Sequence, residues 1–263
     1  MNKFLLLIII SISQLFADLI HPPDGSELNY IHVMFQWNTV EGSTEYNFQL
    51  SSTNDFTSLL VSTSTSNLYY IEEDAIDWES NYYWRVSPID AEWIDTFNFT
   101  TGESSVTFQN DDEPVEIQIY NSELTSDGIT IFGSFYNNYS AAIDMNGNEV
   151  WNSGGVNTFV FFHAGENNEL LGGKFLSEHN NSLIGSEFSL EGEFEWSEPI
   201  DEDILAGSFI QHEIIKLPNG NYMGFIPVIE DHPVPTYTNY PERDSPFSWE
   251  DDCELYIEFN SDF

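Results

Sequence analysis

Residues 209–226 read FIQHEIIKLPNGNYMGFI. Two short apolar runs flank Pro218, Asn219, Gly220 and Asn221, the pattern of a β-hairpin. The runs are too short for helices, and an Asn-Gly pair supplies the positive φ values that a two-residue type I′ turn requires. The expectation is a hairpin with that turn at Asn219-Gly220 and with His212 near the start of its first strand.

The pattern recurs. A polar turn leading into two or three apolar residues appears as SDGITIF (126–132), ENNELL (166–171) and PNGNYM (218–223). A second element, an apolar strand, a polar turn and a tryptophan, appears as IDMNGNEVW (143–151) and FSLEGEFEW (188–196), and begins again as IEFNSDF (257–263). Gly147 and Gly192 are 45 residues apart, which suits one four-stranded propeller blade. An insertion over 227–252, rich in Pro, Tyr and acids, delays the third copy. About three blades are counted, and a propeller closes with roughly four to eight. The expectation is a partial β-propeller over 120–263, truncated at its C-terminus and forming the N-terminal piece of a longer protein. Completion of the ring by a second chain is the alternative.

Residues 18–101 predict a β-sandwich. Val33, Phe35 and Trp37 alternate with polar or flanking residues, as do Tyr46, Phe48 and Leu50, and Tyr82, Trp84 and Val86. Short runs at 59–61 and 68–71 and a last strand over 93–99 complete six or seven strands separated by polar turns, the requirement of a sandwich. Trp37, the Tyr-Tyr-Trp-Arg-Val run from Tyr82 to Val86, and Ile76 six residues before Tyr82 in the spacing of a tyrosine corner resemble a fibronectin type III domain. Such modules serve as spacers or binding surfaces; Trp78 and Trp93 are read as packing residues, with sugar binding as the alternative. Residues 102–119, with Asp111, Asp112 and Glu113, read as a linker whose carboxylates are solvated.

The stretch quoted first carries a second resemblance. His212 and Glu213 followed by Leu217, Pro218, Asn219, Gly220 and Asn221 resemble the repeat unit of the arylsulfotransferase family, whose bacterial members fold as β-propellers. There a His-His-Asp/Glu before Leu-Pro-Asn-Gly-Asn lies beside the active centre; Gln211 stands where many relatives have the first histidine. The resemblance implies transfer of a sulfuryl group from a phenolic sulfate ester to a phenol through a sulfohistidine, with no nucleotide donor and no other cofactor. Such a transfer needs an imidazole to attack sulfur, donors around the sulfonate oxygens and an acid for the leaving phenolate.

Three residues are candidates for that chemistry. His212 is the first, as a donor to the sulfonate or an acid/base group; a strand histidine bonded within the fold is the alternative. Side chains alternate along a strand, so Glu213 points to the opposite face. His163, three residues before Glu166, stands in a similar place in the preceding repeat. Arg243, in the insertion, is one of only five basic residues and is the candidate for binding the anionic substrate, with a surface ion pair as the alternative. The relatives' nucleophilic histidine lies in a later blade, so 1–263 by itself is expected to be inactive. Asp144, Asn146 and Asn148 have the first spacings of a calcium loop, but Glu149 and Gly155 stand where it needs glycine and glutamate. No metal is expected.

The composition narrows the partners. Formal net charge is −40, from 5 basic and 45 acidic residues, which excludes nucleic acid because phosphate binding needs clustered cations. Cys253 is the only cysteine, so no internal disulfide forms. Residues 1–17 read as a signal peptide: Lys3, an apolar run over 4–12, then Leu15, Phe16 and Ala17. That run is too short to span a membrane, and a retained N-terminal anchor is the alternative. An exported, secreted or periplasmic location follows. The second functional expectation is a non-catalytic extracellular protein for adhesion or polysaccharide binding, with a glycan or cell-surface partner.

Overall fold

A computed structural model of the chain describes residues 18–93, 95–105, 123–124, 126–176, 182–199, 213–230 and 251–259. Residues 1–17, expected to be a signal peptide, and most of 102–119, expected to be a linker, lie outside the described residues. The described chain is all-β, and none of its helices is long and apolar enough to cross a membrane. It divides into two compact units, 1–101 and 102–263.

The first unit holds two sheets. One has the order β1-β3-β6, made of β1 (Leu19–His21), β3 (Val33–Trp37) and β6 (Tyr69–Glu72). The other runs β2-β8-β7-β4-β5 through β2 (Ser26–Leu28), β8 (Phe97–Thr101), β7 (Asn81–Pro88), β4 (Tyr46–Ser51) and β5 (Leu59–Thr65). Every pairing is antiparallel except β2 with β8. The alternations expected in β3, β4 and β7 are realised: Val33, Phe35 and Trp37 are buried while Met34 and Gln36 are exposed. Because the side-chain period is two, each sheet turns one apolar face to the other. Phe35 sits at the centre, its ring 4.9 Å from that of Phe48, 5.2 Å from Trp84 and 5.8 Å from Phe99. The last strand begins at Phe97, later than expected. Trp93 instead lies against the Arg85 guanidinium, 4.4 Å from its ring centre, with Phe56 at 3.8 Å.

The expected role of Tyr82 is visible in one bond: its hydroxyl accepts from the Asp77 backbone N–H at 2.8 Å, next to the buried Ile76. Tyr82→Phe leaves that N–H without its acceptor. The expected loss is about 1–2 kcal/mol in urea denaturation, against no change for Tyr83→Phe on the opposite face.

Among its described residues, the second unit holds three consecutive antiparallel meanders. The first contains β9 (Thr130–Ser134), β10 (Tyr139–Ile143) and β11 (Glu149–Asn152). The second contains β12 (Phe159–Ala164), β13 (Leu170–Leu176), β14 (Ser182–Phe188) and β15 (Phe194–Ser197), and the third β16 (Ile214–Lys216), β17 (Tyr222–Glu230) and β18 (Asp251–Phe259). The repeat read from the sequence reappears in the hydrogen bonds. Ser153 N–H donates to the Ser140 carbonyl at 2.9 Å and its hydroxyl accepts from Ser140 N–H at 2.9 Å. At the matching positions of the next sheet, Glu198 N–H donates to the Gly185 carbonyl at 2.8 Å and its carboxylate accepts from Gly185 N–H at 3.0 Å.

The hairpin turns correct one expectation. Gly220 N–H donates to Leu217 O at 2.9 Å and Leu217 N–H to Asn221 O at 2.7 Å, with positive φ at Gly220 (+89°) but not at Asn219. This is the three-residue loop, a type I turn followed by one residue in the left-handed region, in place of the type I′ turn. Pro218 suits this loop, since its φ near −65° is the value a type I turn needs at its first central position. Gly147 (+86°), Asn168 (+67°) and Gly192 (+93°) take the same place in their hairpins.

Candidate functional site

Each meander packs on the next through side chains set by this repeat. Gly133 on β9 lies so close to the backbone of Phe161 that a Cβ there would collide with it. Beside it, the Ser140 hydroxyl donates to Phe159 O at 2.8 Å and accepts from Phe161 N–H at 2.7 Å. Trp151 Nε1 donates to Leu190 O at 2.8 Å.

Between the second and third meanders the contact becomes ionic, and here lies a cluster of charged and polar side chains. Lys216 on β16 places its Nζ 3.0 and 2.8 Å from the two carboxylate oxygens of Glu187 on β14, and 3.9 Å from Glu169. The buried Tyr222 on β17 donates its hydroxyl to the same Glu187 carboxylate. Its ring stacks on Trp196, centres 3.9 Å apart and planes 12° from parallel. Leu171 and Ile214 close the cluster from beneath. Burial first, then the hydrogen bond and charge of Glu187, push the Tyr222 phenol far above its usual value, so it stays a neutral donor. The cluster holds Lys216 and Tyr222 in place and connects two sheets; its cation is neutralised internally.

His163 lies half-buried on β12, after a register shift, opposite Leu171. Counting back from the hairpins, Ile215 opposite Met223 holds the corresponding place in the third meander. His163 makes no hydrogen bond to another described residue. His212 and Arg243 lie outside the described residues. The cluster itself was missed from the sequence. Its signal was scarcity: in a chain with five basic residues, a lysine one residue before Leu-Pro-Asn-Gly-Asn marks a place where a carboxylate must be answered.

The Asp144 turn shows why its spacing is not a cation loop. The carboxylate accepts from the backbone N–H groups of Asn146 and Asn148, both at 2.8 Å, and from the Asn148 amide at 2.9 Å. Donors, not oxygens, converge there. Partial burial pushes the pKa of this carboxyl up, but the hydrogen bonds from Asn148 and Asn146 outweigh it and hold the group below its ordinary 3.8. Glu169 is likewise held below 4.5, chiefly by the Asn167 side-chain amide, with Lys216 contributing less. Both shifts are downward, so each group adds stability that is present above its unfolded value and lost as pH falls through its folded one. The expected result is a Tm that drops between about pH 5 and pH 3. An Asp144→Asn, Glu169→Gln double variant should show a flatter profile in a pH series; an unchanged slope would exclude these two groups.

No protein-family model matches the chain, and no curated protein is significantly similar to it.

Proposed function

We propose that the chain is an exported arylsulfotransferase-like protein. In this reading it carries a fibronectin type III-like module followed by propeller blades, and it transfers a sulfuryl group from a phenolic sulfate ester to a phenol. The observation that carries the reading is the run of three antiparallel meanders, the first two with equivalent turns 45 residues apart at Gly147 and Gly192 and the third overlapping in sequence the His212 to Asn221 motif. The two sheets β1-β3-β6 and β2-β8-β7-β4-β5, with the Tyr82 bond, support the module assignment. In the reaction, sulfur passes from the phenolate oxygen to a histidine nitrogen and then to the acceptor phenol oxygen. His212 donates a hydrogen bond to the sulfonate or protonates the departing phenolate, and Arg243 attracts the anion.

A second reading, a non-catalytic protein that binds extracellular polysaccharide, is favoured by one observation. The three cations among the described residues are engaged: Arg85 by Gln49 and two aromatic rings, Lys174 over the Phe194 ring, and Lys216 by Glu187. A chromogenic aryl sulfate with a phenol acceptor separates the two in the full-length gene product. Turnover that falls by about a hundredfold or more in His212→Ala is expected for an acid/base role. Turnover unaffected by the substitution removes His212 from the mechanism. No turnover, with retention on a polysaccharide column, establishes the second reading.

A further inference from the structure

The chain contains two Asn-Gly pairs, Asn146-Gly147 and Asn219-Gly220. Both occupy hairpin turns of the same type, with an exposed asparagine and the glycine at positive φ. Glycine has no Cβ to obstruct its own amide nitrogen, so that nitrogen can approach the side-chain carbonyl of the preceding asparagine. We propose that Asn146 is a site of spontaneous deamidation in the folded protein and that the fold protects Asn219.

The step balances with water as the only co-reactant. Gly147 N gives its proton to a solvent base and bonds to Asn146 Cγ. The Cγ–Nδ2 bond breaks, and the nitrogen takes a proton and leaves as ammonia. Water then opens the cyclic imide. Cleavage on the Cγ side yields aspartate. Cleavage on the main-chain carbonyl side yields isoaspartate, with the chain rerouted through the side chain.

The hydrogen bonds separate two turns that the dipeptide alone makes equivalent. At Asn219 both reacting groups are occupied: Oδ1 accepts from Asn221 N–H at 3.0 Å, and Gly220 N–H donates to Leu217 O at 2.9 Å. Pro218 stiffens the same turn. At Asn146, Oδ1 accepts no hydrogen bond from a described residue. Nδ2 reaches Asp144 Oδ2 only at 3.4 Å, and Gly147 N–H donates to Asp144 O at 3.2 Å. The electrophilic carbon is therefore free to turn toward a nitrogen that is itself less firmly held. The product places a second carboxylate beside Asp144, and in its isoaspartyl form lengthens the turn that joins β10 to β11.

The test is peptide mapping of the full chain after incubation at mildly alkaline pH, using a Glu-specific protease and an isoaspartyl methyltransferase label. In the native protein the Asn146 peptide should convert several-fold faster than the Asn219 peptide. In concentrated urea the two rates should converge, because the same dipeptide then stands in open chain. Native conversion at Asn219 equal to or faster than at Asn146 overturns the proposal. So does conversion at Asn146 no faster than at Asn148, which no glycine follows.

Discussion

Phe35→Ala is expected to unfold the first unit or bring it close to unfolding. The ring has no solvent exposure and touches Phe48, Trp84 and Phe99, which lie on the opposite sheet. Truncation removes those contacts and leaves a cavity that neighbouring strands cannot fill without breaking their ladders, a combination that costs about 3–5 kcal/mol. Domains of this size have only about 5–15 kcal/mol in total. Trp37 and Trp84 share this core, so their fluorescence and the near-ultraviolet circular dichroism should report the loss in a urea titration. Met34→Ala is the control: Met34 is the next residue on β3 but 44% exposed on the outer face. Equal midpoints for the two variants would show that the two sheets do not share this core.

The second large effect is expected at Glu187. Glu187→Ala removes the acceptor of both Lys216 and Tyr222, leaving an ammonium beside a half-buried surface and a buried hydroxyl with no carboxylate to receive it. Removing one partner of a buried pair costs about 3–5 kcal/mol; with Lys216 still 28% exposed, water recovers part of that, and about 2–3 kcal/mol is expected. Lys216→Met should cost less, because Tyr222 still donates to the remaining carboxylate. The Glu187→Ala, Lys216→Met double variant should lose less than the sum of the singles, with a coupling of about 1–3 kcal/mol. Additive losses in urea denaturation would mean that the pair does not connect the second and third meanders.

These two sites differ in how far the sequence disclosed them. The core around Phe35 was legible because alternation in a strand is a local property: Val33, Phe35 and Trp37 face one way whatever the partner strand is. The hairpins were legible for the same reason, down to the glycine in three of the four turns; Asn168 takes that place in the other. Their type was not: Asn-Gly favours a two-residue type I′ turn in isolation, whereas all four of these hairpins adopt the three-residue loop. The last strand of the first unit was placed too early because Trp93 fits a strand pattern; its rings instead meet Arg85, a contact made across the sheet. The similarity of His163 and His212 rested on distance from a turn. The registers of the two hairpins assign His163 to the place of Ile215.

The sequence by itself determined that the chain is all-β, where its turns fall and that its second half contains a repeated strand-and-turn unit, since period and turn chemistry are written in neighbouring residues. Only the tertiary structure decided that Lys216, Glu187, Tyr222 and Trp196 meet, and that two identical Asn-Gly pairs are held differently. Lys216 and Glu187 stand 29 residues apart, and no local pattern encodes which carboxylate, among 45 acidic residues, a single lysine will find. That choice is made by the packing of the second meander on the third, which brings Glu187 of β14 to Lys216 of β16 and leaves the ammonium one carboxylate within bidentate reach.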